Sequence, residues 1–332
     1  MGEIGMKKWI LFGFVTMFVL LWSLLPSKAS AVGEAIAPSV TFAPSARSEG
    51  MGRAYVAIAD DATASWWNPA GLAFLSGKHI SAMHTKLAPG LADDVYYEYL
   101  GYAQSTKDWG GLAASLVYLT YGDILGTDTE GRPTGTFTSY EISPSLAYGT
   151  ALAKDLAVGV NLKIIHVNYA PSWAVLEGKA GKGTTFGADI GVLYRRSRWS
   201  VGACFQNIGP NLTLIDADQS SPINRNLKVG VAANVWQGNI GRFIAAFDVN
   251  KPFVFADDGP IVSGGGEFLL SELLAVRLGF ITERWYTEYY PIEGMTFGMG
   301  LQYKGVRFDY ASVPQSKELE DKVNKFSISA RF

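Results

Sequence analysis

From about residue 78 onward, apolar and polar residues alternate with a period of two. At the end of the chain Phe326, Ile328, Ala330 and Phe332 fall on one face, and Ser327, Ser329 and Arg331 on the other. The same alternation sets Leu156, Val158, Val160, Leu162 and Ile164 against Ala157, Gly159, Asn161 and Lys163. It returns in Leu227–Ala233, in Leu274–Phe280 and in Phe297–Tyr303. Strict alternation predicts strands with one apolar and one polar face. About fourteen can be drawn, near 78–86, 94–106, 110–121, 137–150, 155–168, 184–195, 199–206, 225–235, 241–249, 261–270, 273–283, 295–303, 305–313 and 324–332.

The connections between them alternate in length. Short ones fall at 107–109, 151–154, 196–198, 236–240, 271–272 and 304; long ones fall at 122–136, 169–183, 207–224, 250–260, 284–294 and 314–323. A soluble sandwich gives no reason for this rhythm. Outer-membrane barrels have an even strand count, short periplasmic turns and longer external loops. The fold class expected is therefore all-β, a transmembrane antiparallel barrel with both termini on the periplasmic side.

The two faces differ in chemistry. The polar face carries Glu141, Lys163, Asp189, Lys228, Arg242, Asp248, Glu267, Arg277, Arg307, Asp309 and Arg331, among glycines and serines. These six basic and five acidic residues suit a lumen in which opposite charges pair. The apolar face carries Tyr118, Tyr140, Tyr148, Tyr194, Trp199, Tyr303, Tyr310 and Phe332 near strand ends. Aromatic girdles belong at the two membrane interfaces.

Composition narrows the classes. Of 332 residues only 17% are charged, and the balance is 28 − 30 = −2, so no basic excess exists to meet nucleic-acid phosphates. A hydrophobic fraction of 48% excludes intrinsic disorder. Lys7 and Lys8 precede an apolar run from Trp9 to Leu25, and small residues follow at 27–31. This is the pattern of an export signal over 1–31, cleaved after Ala31. The run is shorter than the roughly 20 residues a spanning helix needs. No comparable apolar run follows, so a place in the membrane requires a closed barrel.

Residues 41–75 are not strand-like. Gly50, Gly52, Asp60-Asp61 and Asn68-Pro69-Ala70-Gly71 punctuate them with turn chemistry. Such a segment is too short to fold alone, and its natural place is inside the barrel. Ala46-Arg47-x-x-Gly50-Met51-Gly52, Ala59-Asp60-Asp61-Ala62 and Trp67-Asn68-Pro69-Ala70-Gly71-Leu72 resemble signatures of the PorV/PorQ family, a branch of the FadL-like outer-membrane barrels. The stretches 308–314 and 326–332 are similar to that family too. The resemblance implies a 14-stranded barrel with an N-terminal hatch; with the export signal over 1–31, the expected organisation is a hatch in the lumen over 32–77 and the barrel over 78–332. Asp60 and Asp61 read as caps for turn N–H groups, and Asn68-Pro69 as a turn that locks the hatch; a ligand or partner contact there is the sharper alternative.

Other features read as structural. His79, His84 and His166 have no metal spacing, and no serine sits at a nucleophile elbow, so neither an enzyme nor a cofactor is expected. Cys204 has lumen parity and reads as a small filler. Gly264-Gly265-Gly266 reads as a bulge. Pro144 lies inside a convincing strand, where it removes a ladder hydrogen bond; it is the candidate for a bulge or kink in the wall, or for a lateral gap. The resemblance implies outer-membrane lipid as surroundings and two functions. One is an accessory role in type IX-like secretion, with a translocon or exported cargo domains as partners. The other is FadL-like transport of a hydrophobic small molecule.

Overall fold

In the computed structural model the alternation becomes a closed ring of fourteen antiparallel strands in chain order. The structure describes residues 36–106, 109–175, 178–215, 220–253, 260–285, 290–314 and 322–332. The export signal expected over 1–31 lies outside them. The strands are β1 Lys78–Ala88, β2 Ala92–Ser105, β3 Gly111–Thr127, β4 Pro133–Ala153, β5 Leu156–Ala170, β6 Gly181–Arg196 and β7 Trp199–Ile208. A two-rung ladder of β8 Leu212–Thr213 and β9 Ser220–Ser221 follows outside the ring. The ring continues with β10 Asn226–Gly238, β11 Gly241–Pro252, β12 Ile261–Leu270, β13 Leu274–Trp285, β14 Tyr290–Tyr303, β15 Val306–Pro314 and β16 Lys322–Arg331. Pairing of β1 with β16, Ala82 opposite Ile328, closes it and leaves no edge.

Parity sets the two surfaces. On β13 Leu278 is 55% exposed while its neighbour Arg277 is 1% exposed. Val229, Leu162, Phe297 and Ile328 share the outer surface, which is the arrangement of an apolar wall facing lipid. Across consecutive strands this wall carries a row of rings: His84–Tyr96, Tyr96–Tyr118, Tyr118–Tyr140 and Tyr140–His166, with centroids 5.8, 6.2, 6.1 and 6.3 Å apart.

The ring has a short-turn end and a long-loop end. Turns of two residues join β5 to β4 and β7 to β6, and Lys304-Gly305, with φ of 47° and 83°, joins β14 to β15. Both residues adopt the positive φ that a two-residue hairpin of this twist needs. Two links at the opposite end depart from the rhythm: 89–91 is short, and the long connection expected at 122–136 shrinks to 128–132 because β3 and β4 extend through the rest of it.

Two local expectations concern register. Gly264–Gly266 do not form a bulge, because β12 stays in unbroken register with β11 and β13. Pro144 does not shift the register either. Ile142 opposes His166 and Ser145 opposes Lys163, with two unpaired positions between them, and on the other side Pro144 still opposes Leu116. Proline removes a donor without adding a residue, so the wall is not interrupted in register there. The register does shift elsewhere, for example on β3 between Thr120 and Asp123, where Gly122 has φ 76°, and between Ala188 and Ile190 of β6. Tyr121 keeps the inward face of Val117 and Leu119, and its hydroxyl donates to Glu141.

Candidate functional site

The interior of the ring is filled by the chain that precedes β1. This stretch begins at the long-loop end, where the Ile36 N–H donates to the Pro222 carbonyl at 3.1 Å and Ile36 bridges Ile223. It leaves at the short-turn end, where Lys78 and Phe332 exchange backbone hydrogen bonds of 2.8 and 3.0 Å. Between these points it forms two short helices, Ala46–Gly50 and Ala64–Trp67, and a 3-10 turn at Pro69–Phe74. The Ser45 hydroxyl accepts from the Ser48 N–H at 3.2 Å and starts the first helix. Asp61 accepts from the Thr63 N–H at 2.9 Å, and Asn68 Oδ1 accepts from the Ala70 N–H at 3.2 Å. Those are Asx turns, as the aspartate and Asn-Pro spacing predicts.

Glycines on the inner wall make room for this stretch. Gly111, Gly149, Gly159 and Gly191 face residues 68–73; Gly202 faces Val56; Gly265 and Gly279 face Met51. A Cβ on any of them would overlap the inner stretch, and one on Gly50 would lie 2.9 Å from Gly298 Cα. Gly265 is thus explained by close approach of another backbone, not by a bulge.

Charges hold what the glycines admit. Arg47 donates to Glu267 through Nε and Nη2, both at 2.8 Å, and pairs with Asp60 at 2.6 Å. Arg277 pairs with Glu267 at 2.7 Å and with Asp309 at 2.8 Å. Arg307 pairs with Asp309 at 2.9 Å and reaches Asp61 at 3.3 Å. Glu49 is held by Arg53 at 2.9 Å and by Lys325. Within this network every charge meets its opposite, which is the condition for burying it. Burial alone would raise the Asp60 carboxyl; Arg47 outweighs that, with help from Arg307 and Arg195, and holds it down to about 2.

Elsewhere the strands grip backbone groups. Asp248 accepts from the Tyr55 and Val56 N–H groups at 2.7 and 2.9 Å. Ser200 donates to the Ala57 carbonyl at 2.7 Å, and Arg195 donates to that of Ile58. Asn68 Nδ2 donates to the Val192 carbonyl at 3.0 Å. The Lys228 ammonium sits over the rings of Trp66 and Trp67, 4.6 and 4.5 Å from their centroids. Lys163 pairs with Asp189 at 2.8 Å. Glu141 accepts from the Tyr121 and Tyr169 hydroxyls at 2.5 and 2.7 Å and from the Ser39 N–H at 3.0 Å.

A family model described as type IX secretion system protein PorV matches residues 27–257. The chain belongs to the PorV family. No curated protein sequence matches it. Among solved structures, the toluene transporter TbuX of Ralstonia pickettii is similar with TM-score 0.57 and 14% identity, over 88% of this chain and 98% of that one. The toluene transporter TodX of P. putida gives 0.53 and 14%, over 86% and 97%. A FadL homologue of Pseudomonas aeruginosa gives 0.57 and 11%, over 87% and 98%. At these identities the likeness is one of fold, and the fold of this PorV-family chain is a FadL-like barrel. Family and fold together point to a bacterial outer-membrane protein.

Nine of the eleven charges assigned to the polar face lie buried or partly buried inside the ring without qualification: Glu141, Lys163, Asp189, Lys228, Asp248, Glu267, Arg277, Arg307 and Asp309. Arg331 keeps the same face but sits at the mouth. It is exposed at the short-turn end and donates to Ser76 Oγ at 2.7 Å, because parity gives a face but not a depth. Arg242, second residue of β11, is likewise near that end and half-buried. Asp60 also departs from its reading as a turn cap, since its partners are Arg47 and Tyr55. The residues sequence reading passed over are Arg47, Glu49, Arg53, Tyr55 and Lys325. Lys325 shares parity with Ser327 and could have been found; Arg47 stands in a quoted motif, but nothing local announces its partner 220 residues away.

Proposed function

We propose that this PorV-family protein is a non-enzymatic accessory barrel of type IX-like protein secretion in the bacterial outer membrane. It is exported by a cleaved signal over residues 1–31, and residues 32–77 act as its hatch. The observation that carries the reading is the filled interior: the stretch from Ile36 to Lys78 occupies the lumen from one mouth to the other and is pinned to β7, β11, β12 and β15 by named bonds. A barrel closed in this way is suited to hold a partner at its wall or its long-loop end. It is not suited to pass a folded protein through itself. The family match supports the secretion role, with a translocon component or exported cargo domains as the partner.

The test is deletion of the gene with complementation, followed by analysis of surface-delivered proteins and cross-linked partners of the tagged barrel. The reading expects delivery to fail and a translocon or cargo protein to be captured. Unchanged delivery in the deletion strain would contradict it.

A second reading, transport of a hydrophobic small molecule, is favoured by one feature. Met83, Tyr97, Tyr99, Val117 and Leu119 form an apolar inner cluster against Phe42. The similar TbuX and TodX structures are of toluene transporters. Under this reading the deletion strain would lose uptake of an apolar solute and keep protein delivery.

A further inference from the structure

Between the lumen stretch and the wall lies a polar recess of about 40 Å³. It sits just inside the long-loop mouth, where β10 starts at Asn226, β11 ends at Pro252 and β12 starts at Ile261. A water-sized group needs roughly 10–15 Å³, so the recess takes about three of them. Register sets Lys228 of β10 opposite Asn250 of β11, and Asp248 opposite Ser263 of β12. Asn224 joins this lining from the link before β10.

The hydrogen-bond balance of the recess is one-sided. Oδ1 of Asn224, Asn226, Asn250 and Asp248 is buried in each case and has no hydrogen-bond partner among the described residues. Neighbouring groups are already engaged: Asp248 Oδ2 accepts from the Tyr55 and Val56 N–H groups, and Asn207 is bonded to Lys163 and to the Asn224 carbonyl. The spare capacity is therefore acceptor capacity, and it is gathered on side chains that share one recess. Leaving a buried acceptor unmet is costly, so four together mark a place that receives donors from outside the chain.

Charge decides which donors suit it. Asp248 lies within electrostatic reach of Lys228, whose ammonium rests over Trp66, and Arg53 on the same lining is paired with Glu49. A calcium ion takes six to eight oxygens, carboxylates prominent among them, and here it would meet one carboxylate and two cationic side chains. An anion would meet four acceptor oxygens. Neutral O–H donors encounter neither difficulty. Half-exposed Asn224, Asn226 and Asn250 form the entrance, and buried Lys228 and Asp248 form the floor.

We infer that this recess binds a neutral, hydroxyl-rich ligand: a soluble saccharide that enters edge-on from the long-loop mouth. Adjacent hydroxyls on one edge of the sugar donate to the asparagine and Asp248 oxygens, and the rest of the ring stays in the mouth. The site lies inside a closed ring of strands, so a lipid headgroup in the surrounding membrane does not reach it. It shares no residue with the apolar cluster around Phe42. The inference therefore holds under either reading of the function.

The test is saturation-transfer NMR on the intact barrel in lauryldimethylamine oxide, a detergent without a sugar headgroup. The probes are the methyl glycosides of mannose, glucose and galactose, each beside its fully O-methylated form, which cannot donate. The inference expects transfer to at least one free glycoside and to none of the O-methylated forms. Asn250→Leu removes one acceptor and should weaken binding about tenfold, the worth of one hydrogen bond. Asn224→Ala does the same from outside the ring strands and leaves the barrel wall untouched, and Asn250→Asp keeps the acceptor and should keep binding. Folding of each variant is checked by gel mobility. Absence of transfer to every glycoside, equal transfer to the O-methylated forms, or binding unchanged in both Asn250→Leu and Asn224→Ala would overturn the inference. Calcium chloride is titrated in parallel by calorimetry; calcium binding that is lost in Asn224→Ala would make this a cation site and would overturn it as well.

Discussion

Arg47 and Glu267, 220 residues apart in sequence, form a two-pronged ion pair with both contacts at 2.8 Å. The pair joins the first helix of the lumen to the wall at β12. Both side chains are almost fully buried. A buried pair adds little net stability over apolar packing, but losing one partner strands the other in a dry site, at a cost of about 3–5 kcal/mol. Arg47→Ala should therefore lower the temperature at which the barrel loses its compact gel mobility by far more than a surface Arg→Ala. An unchanged transition temperature would show that the pair does not pin the lumen stretch.

The glycine contacts make a second prediction. A Cβ at Gly298 would lie 3.0 Å from Gly50 Cα, backbone that cannot yield cheaply. Gly298→Val should push the first helix away from β14, an overpacking cost of about 1–3 kcal/mol. Limited proteolysis should then cut within residues 41–60 while strand content by circular dichroism is kept. Protection equal to wild type would contradict the close approach.

The outer wall makes a third. Val229 and Leu278 are 44% and 55% exposed on the apolar surface. An arginine at the midplane of a lipid-facing wall costs about 2–4 kcal/mol. Val229→Arg and Leu278→Arg should each reduce folded yield in lipid vesicles, and the same change at exposed Glu130, in the link between β3 and β4, should not.

The fourth concerns pH. Asp60 is held at about 2, below its ordinary value, by Arg47. A carboxyl depressed on folding contributes stability above its unfolded pKa, near 3.9, and that contribution is lost as pH falls through the folded value. The lumen stretch should stay protected from an acid protease at pH 4 and above, and loosen between about pH 4 and pH 2. Asp60→Asn should flatten that dependence. Loosening centred near pH 6 would point to a different group.

What was legible in the sequence follows from period two. Alternation places Leu278 outside and Arg277 inside without any knowledge of the neighbouring strands, and loop rhythm orders the ring. It carries Tyr121 inward with Val117 and Leu119 toward Glu141, but it does not announce the extra residue at Gly122 that shifts the register with β4. It also fails where face and depth differ, as at Arg331. Residues 36–77 have no period to read. Their turns were visible at Asp61 and Asn68, whereas their long-range partners, and the mouth at which Ile36 enters, depend on how the ring closes around them.

The central claim is that the lumen is closed by its own chain. Single-channel recording in planar bilayers tests it most directly, with intact protein compared with protein lacking residues 41–75 and folding of both verified by gel mobility. The account predicts little or no steady conductance from the intact barrel and large events from the deleted one. A stable, high-conductance channel in the intact protein would contradict it.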